Sequence, residues 1–366
     1  MPHRSEPTLV TPAVLRDWPL PEPAGGKNAR GSILVIGGST ETLGAVLLAA
    51  EGAMRAGAGK LQVATVASLA PFAAQALPEA LVRALPETDD GAVSAAAADT
   101  VRDLAESAAA VLVGPGMADK EATQAFGERL LPHLSGPLVL DALGLACITA
   151  DDSCLHHLDG RVVLTPNPTE LGYALHASDE EVDGDPGGCA LALAERSRAV
   201  VGLGGATSWV AAPDGRLWQD ESGNAGLGVS GSGDVRAGIT AGLLARGADP
   251  AQAAMWAAYL HGRAGSGWRR PSARRASSPG SCPGRYRGPW RRSCPEPSSV
   301  ARTLTSHRRS VGREERGCMS TSLRRWRRST RRCCGATPVS ESSTRPSTRC
   351  SSPSPSSWAG TASTPR

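Results

Sequence analysis

Short apolar runs recur along the first two thirds of this chain, and each one closes on a loop of small or polar residues. Ser32-Ile-Leu-Val-Ile36 ends in Gly37-Gly38-Ser39, and Ala110-Val-Leu-Val113 ends in Gly114-Pro115-Gly116. Leu138-Val-Leu140 ends on Asp141, Val162-Val-Leu164 runs into Thr165-Pro-Asn-Pro-Thr-Glu170, and Val200-Val201 precedes Gly202-Leu-Gly-Gly205. A further run lies at 61–66. Runs this short, bounded by Gly and Pro, read as buried strands. Between them lie helical patterns. One covers 44–55, with Ala, Val, Leu and Met inward and Gly57 and Gly59 closing it. Another covers 119–131, and a third opens with Asp249 as cap and Pro250 at the first helical position. Pro213-Asp214-Gly215, between 208–212 and 216–218, is a hairpin signal. Strand–helix alternation of this kind predicts an α/β fold with a mostly parallel central sheet flanked by helices.

Open parallel sheets bind ligands at the C-terminal ends of their strands. The Gly37-Gly38-Ser39 loop stands at such an end. The residues alone leave open whether it is a ligand loop or only a tight turn. Asp141, Asn167, Glu170, Asn224 and Asp234 also fall at predicted strand or loop ends and can gather on one rim. Each taken singly fits a helix N-cap as well, and Glu79 after Pro78 fits a helix start.

One stretch concentrates the chemistry. The segment 224–234 holds Gly226, Gly228, Gly231 and Gly233 and ends on the carboxylate of Asp234. Val235, Ile239 and Leu243 follow at i, i+4 and i+8, so a helix is expected from near Asp234 to Gly247. Glycines before a helix start let backbone N–H groups turn toward an anion, and the helix dipole favours negative charge there. A carboxylate beside that nest can take a proton from a hydroxyl as the hydroxyl meets a phosphate. The alternative is a flexible loop with Asp234 as N-cap.

With 366 residues the chain is long enough for one large domain or two ordinary ones. No apolar run approaches a membrane span and the N-terminus lacks the apolar core of a signal peptide, so a cytoplasmic protein without membrane attachment is expected. Cys147, Cys154 and Cys189 are scattered and no CxxC pair occurs, so no zinc site is expected. Residues 1–26, rich in Pro and polar residues, read as an N-terminal arm.

Taken in order, the motifs resemble the ADP-dependent NAD(P)H-hydrate dehydratase family of the ribokinase-like superfamily. The resemblance covers roughly residues 27–265. It is carried by Lys27-Asn-Ala-Arg-Gly31, Ile33-Leu-Val-Ile-Gly-Gly-Ser39, Gly44-Ala45, Arg55-Ala-Gly-Ala-Gly59, Pro78-Glu79, Gly114-Pro-Gly-Met117 and Leu140-Asp-Ala-Leu143. Thr165-Pro-Asn-Pro-Thr-Glu170, Pro213-Asp-Gly215, Asn224-Ala-Gly226, Gly231-Ser-Gly-Asp234 and His261-Gly262 complete it. It implies a repair enzyme that restores NAD(P)H from its S hydrate, using ADP (or ATP in the eukaryotic type) with Mg²⁺ and releasing AMP and phosphate. It implies Asp234 as the catalytic base. It places Gly38, Ser39, Gly44, Gly116 and Asn167 toward the substrate. Gly202, Gly204, Gly205, Asn224, Gly226, Gly231, Ser232 and Gly233 are implied on the nucleotide side, with no metal ligand from the protein. It also implies a homo-oligomer, a tetramer in many relatives. Four residues depart from the pattern. Gly204 stands where a Lys is usual, Thr42 where many carry Tyr, Thr169 replaces a usual Gly, and Arg236 replaces a usual Leu. Losing the Lys would remove a charge-assisted contact to phosphate. The same glycine–Asp nest would serve a small-molecule kinase of the superfamily.

The charge is split. From residue 266 on, 22 arginines face four glutamates, with no Lys and no Asp, for a net +18; residues 1–265 hold 17 basic and 31 acidic side chains, a net −14. A segment so poor in apolar residues cannot offset its ordering entropy, so 266–366 is expected to be disordered. Arg324-Arg-Trp-Arg-Arg328 would suit a nucleic-acid arm. The Lys-free Arg usage and the break in mid-helix favour another origin, out-of-frame translation of GC-rich DNA. If so, another frame of the gene from codon 265 onward encodes a short apolar helical segment. Resequencing that finds none overturns the idea.

Overall fold

The computed structural model describes residues 6–22 and 25–267, with side chains to residue 265. The tail beyond residue 267, with its readings as disordered chain, nucleic-acid arm or out-of-frame translation, lies outside the described residues. The strands are β1 (Thr8–Leu9), β2 (Ser32–Ile36), β3 (Lys60–Val66), β4 (Leu81–Leu85), β5 (Ala110–Val113), β6 (Leu138–Leu140), β7 (Val162–Leu164), β8 (Val200–Leu203), β9 (Ser208–Ala211) and β10 (Leu217–Asp220). The helices are α1 (Pro12–Asp17), α2 (Leu43–Ala56), α3 (Ala70–Ala76), α4 (Ala97–Ser107), α5 (Lys120–Leu130), α6 (Ala146–Ala150), α7 (Pro168–Leu175), α8 (Asp179–Gly184), α9 (Pro186–Ser197), α10 (Ser232–Ala245) and α11 (Pro250–Gly267).

All ten strands form one sheet in the order β1-β10-β9-β8-β7-β6-β5-β2-β3-β4. Only β9 runs antiparallel to its neighbours. The chain moves outward from β2 through β3 to β4. It then returns to pair β5 with β2, Ile33 opposite Ala110, and moves outward the other way. The reversal between β2 and β5 opens a crevice at their C-terminal ends. Both faces of the sheet are covered. Leu34 and Ile36 point into a core with Val101 of α4 and Phe126 of α5. Ile33 and Val35 point into a second core with Val46 of α2, Ile239 of α10 and Met255 of α11. Burial on both faces is why β2 is an unbroken apolar run rather than an alternating one.

The tightest helix contact joins α2 to α10. A Cβ at Gly238 would strike the carbonyl oxygen of Ala49, and one at Gly242 that of Ala53. From the other side, a Cβ at Gly52 would stand 2.8 Å from the carbonyl oxygen of Val235. The backbones themselves touch, so no side chain fits along this seam.

The expected helix start near Asp234 holds and the N-cap alternative does not, while two further features differ from expectation. Helix α10 starts at Ser232 with Gly231 as its N-cap, so Asp234 lies within the first turn and is not a cap. Within the arm, residues 6–22 carry β1 and α1 and pack on the sheet. β1 pairs with β10, Thr8 opposite Trp218, and Leu15 is buried. The Trp18 ring lies 5.9 Å from that of Trp218, and the Trp18 carbonyl accepts hydrogen bonds from Gln252 at 3.1 Å and Trp256 at 3.0 Å. Strand β4 had no counterpart in the sequence reading, because it is an edge strand whose exposed Arg83 interrupts the apolar pattern.

Overpacking the seam should be costly. Gly238→Val is expected to destabilise the fold by about 2–3 kcal/mol and to lower Tm by roughly 5–10 °C. Gly44→Ala, with open space at its Cβ position, should leave Tm unchanged. Thermal melts of both variants check this, and equal melts would show the seam to be looser than described.

Candidate functional site

A cavity of about 710 Å³ opens where the C-terminal ends of β6, β7 and β8 meet the start of α10. Asp141 enters it from β6, Thr165 and the loop to α7 from β7, and Gly204 and Gly205 from β8. The segment around Asn224 closes one side, and His261 of α11 another. Ser232, Gly233 and Asp234 form the floor at the head of α10. The first intrahelical bond runs from the Val235 N–H to the Gly231 carbonyl at 3.2 Å. Of the amides before it, that of Ser232 donates to the Val229 carbonyl at 3.2 Å, which leaves those of Gly233 and Asp234 to the N-terminal set that attracts an anion.

Asp141 lines the cavity and is itself buried. Thr165 Oγ1 lies 2.6 Å from Asp141 Oδ1 and 3.2 Å from the Leu140 carbonyl oxygen. The threonine hydroxyl has one proton. When it donates to the carbonyl, a protonated Asp141 can donate to it in turn. Burial pushes the Asp141 pKa up to about 7, against the Thr165 hydrogen bond that lowers it. The nearby charges of Asp234 and Glu170 push it up further, while that of Arg236 pulls it down. Ala142 follows with φ of 48°, in the left-handed region. The other non-glycine residues there, Asp159, His176 and Arg198, sit at helix C-caps. Ala142 instead lines the cavity, so the strain is placed at the site.

Asn167 and Glu170 are tied together as a capping box of α7. Asn167 Oδ1 accepts from the Glu170 N–H and Glu170 Oε2 from the Asn167 N–H, both at 2.9 Å. Burial raises the pKa of Glu170 and of Asp234. Asn224 caps a short turn, with Oδ1 accepting from the Gly226 N–H at 2.8 Å. His261 Nε2 meets the Ser232 hydroxyl at 3.1 Å. Burial and the charge of Arg236 push the His261 pKa down to about 4, so the ring is neutral at physiological pH.

Arg236 is almost fully buried, at 8% exposure. Its Nη2 donates to the Gly202 carbonyl at 2.9 Å and reaches those of Thr165 and Pro166 at 3.4 Å. A Cβ at Gly204 would lie 2.7 Å from Nη1. The departures at 204 and 236 are therefore one feature in space: the guanidinium occupies the room that Gly204 leaves.

The five polar residues expected on one rim, Asp141, Asn167, Glu170, Asn224 and Asp234, all line this cavity, as do Gly204, Gly205, Ser232 and Gly233. Gly202, Gly226 and Gly231 stand just behind the wall. Gly38, Ser39, Gly44 and Gly116 do not line it. They gather at the β2–β5 crevice, where the Gly38 N–H donates to the Pro115 carbonyl at 2.8 Å. There Thr42 Oγ1 lies 2.6 Å from Ser39 Oγ and donates to the Gly116 carbonyl at 2.5 Å. Thr169 is exposed on the first turn of α7. The sequence reading gave no site role to Thr165, Arg236 or His261. Their common signal was placement beside a predicted strand or helix end, which many residues share.

A mostly parallel sheet whose strand ends meet a glycine-rich helix start carrying a carboxylate is an arrangement suited to binding an anionic ligand. The NAD(P)H-hydrate dehydratase family profile matches residues 33–279. The ADP-dependent (S)-NAD(P)H-hydrate dehydratase of Xanthomonas campestris pv. campestris is 45% identical over 257 residues, covering 70% of this chain and 86% of that protein. The structure of the ADP/ATP-dependent NAD(P)H-hydrate dehydratase of Bacillus subtilis, co-crystallised with ATP and Mg²⁺, superposes with a TM-score of 0.56 at 28% identity, covering 68% of this chain and 85% of that one. A ribokinase-like superfamily protein of Enterococcus faecalis V583 shares the fold, with a TM-score of 0.62 at 22% identity over 71% of this chain and 87% of that one. The chain belongs to the NAD(P)H-hydrate dehydratase family. It spans about half the length of the bifunctional NAD(P)H-hydrate repair enzymes it also matches, 46–52% of each.

The raised pKa of Asp141 fixes a sign. Between its unfolded value near 4 and its folded value of about 7, the native state holds a proton that the unfolded chain has lost. Stability due to this group is full below about pH 4 and falls as pH rises to about 7. His261, with its pKa lowered to about 4, acts oppositely, adding stability as pH rises from about 4 to about 6.5. Asp141→Asn should therefore gain stability relative to wild type as pH goes from 4 to 7. Melts across that range check it, and a flat difference would show that Asp141 ionises normally.

Proposed function

We propose that this chain restores NAD(P)H from the S epimer of NAD(P)H hydrate, with ADP as phosphoryl donor and with AMP and phosphate as the other products. The observation that carries the chemistry is the carboxylate of Asp234 on the cavity floor, at the glycine-rich head of α10. Hydroxide leaves a carbon poorly, whereas phosphate leaves well. In the first step Asp234 accepts the proton of the hydrate hydroxyl. The hydroxyl oxygen then bonds to the β-phosphorus of ADP as the bond to the AMP oxygen breaks. In the second step the ring nitrogen pushes its electron pair toward the carbon, the C–O bond breaks, phosphate departs, and loss of a ring proton restores the reduced ring.

The cavity residues divide the work. The amides of Gly233 and Asp234 offset charge on the transferring phosphoryl group. Asn224 and the Gly204–Gly205 segment bound the nucleotide side. Neutral His261 fixes Ser232 at the head of α10. Gly38, Ser39, Gly44 and Gly116 would present the β2–β5 crevice to the hydrated nicotinamide ring, with Asn167 between the two. Among the described residues no cluster of three His, Cys, Asp or Glu could cage a metal. The donors fit Mg²⁺ held mainly by nucleotide oxygens, with Asp234 or Glu170 nearby, where it would supply charge neutralisation. Among the described residues no helix is long and apolar enough to cross a membrane.

The test mixes the protein with NADH hydrate, Mg²⁺ and ADP and follows the return of reduced-nicotinamide absorbance and the release of phosphate. ADP-dependent recovery is expected. Asp234→Asn should lower the rate by about 10²–10⁴-fold and leave ADP affinity within a few-fold. No recovery by the wild-type chain with either nucleotide overturns the proposal. A phosphorylated product without free phosphate moves the chain to the kinases.

A further inference from the structure

One cation is buried in the cavity wall with three of its five N–H donors unspent. Arg236 lies one helical turn beyond Ser232, on the same side of α10. Its Nη2 is engaged by the carbonyls of Gly202, Thr165 and Pro166. Nη1 and Nε make no hydrogen bond among the described residues, although the side chain is more than nine-tenths buried and lines the cavity. No carboxylate is within ion-pair distance of it; the described ion pairs involve other arginines. Because these unbonded N–H groups are not sealed in the protein, they open on the cavity that Arg236 lines, and the best acceptor there for the planar fork is a phosphate or carboxylate. The wall opposite Nη1 is Gly204, where any side chain would displace the guanidinium. Gly204 does not adopt a positive φ, so space and not backbone conformation is what its missing Cβ provides.

We infer that Arg236 is the side-chain cation that holds the phosphates of ADP in this enzyme, and that Gly204 is a glycine to leave it room. The inference rests on the reading of this cavity as the nucleotide side. The phosphate oxygens would then sit between the amides at the head of α10 and the free edge of the guanidinium. Recognition would come from the middle of a helix and from a strand end emptied of side chain. The pyrophosphate of the dinucleotide has the same chemistry, and the assays separate the two.

The test measures affinity for ADP, adenosine and NADH in wild type, R236Q, R236L and the transposed pair G204K/R236L. No hydrate is present, so the result stands apart from the dehydratase proposal. R236Q and R236L should weaken ADP by at least about tenfold, or 1.4 kcal/mol. Adenosine and NADH should change by less than about twofold. R236Q keeps a donor for the Gly202 carbonyl and guards against a fold defect in R236L. The transposed pair should recover ADP affinity to within about threefold of wild type. Unchanged ADP affinity in both single variants overturns the inference. Adenosine lost in step with ADP, the mark of a merely structural arginine, also overturns it, as does a loss confined to NADH.

Discussion

Two helices meet backbone to backbone, and the position of the site follows from that contact. α10 can lie against α2 only because Gly238, Gly242 and Gly52 put nothing between the chains. Close approach lets α10 run low along the sheet, with its head at the C-terminal ends of β6 to β8. The cavity is the space left there. A side chain at the seam would push α10 outward and lift Asp234 away from Asp141 and Asn224 together.

Charge inside the cavity is arranged around scarce solvent. Burial does most to raise the pKa of Asp141, Glu170 and Asp234, and the charges of Asp234 and Glu170 add to the cost of ionising Asp141, as that of Asp234 does for Glu170. One buried arginine faces them without pairing to any. Such a set is poorly balanced when the cavity is empty. A dianionic phosphate would draw on Arg236 and the α10 amides, and a neutral Asp141 would spare it one repulsion. Uncompensated buried charge is a stability cost that sites of chemistry commonly carry.

Much of this was legible in the chain. The central strands announced themselves because burial on both faces demands continuous apolar runs, and β2, β5, β6 and β7 fall at the expected residues. The rim of five polar residues was legible for a related reason: in a parallel sheet, strand C-termini share one edge. β4 and β1 escaped because these edge strands are largely exposed, so their residues obey no strong apolar pattern. The arm escaped because it is held by Trp18 on Trp218 and by two side chains of α11, contacts that span two hundred residues or more. Gly204 and Arg236 looked like two separate departures for the same reason, since 32 positions separate them in sequence.

The sequence by itself determined the α/β class, the order of the central strands, the glycine-and-Asp start of α10 and the family. These are local matters of periodicity, turn chemistry and ordered motifs. Only the tertiary structure decided that Asp234 sits inside the first turn of α10 and not at its cap, that Asp141 is buried and so holds its proton up to about pH 7, and that Arg236 fills the space beside Gly204. Each of these depends on what is removed from water and on which atoms are brought within a few ångströms. Burial and proximity belong to the packed chain, and no stretch of sequence contains them.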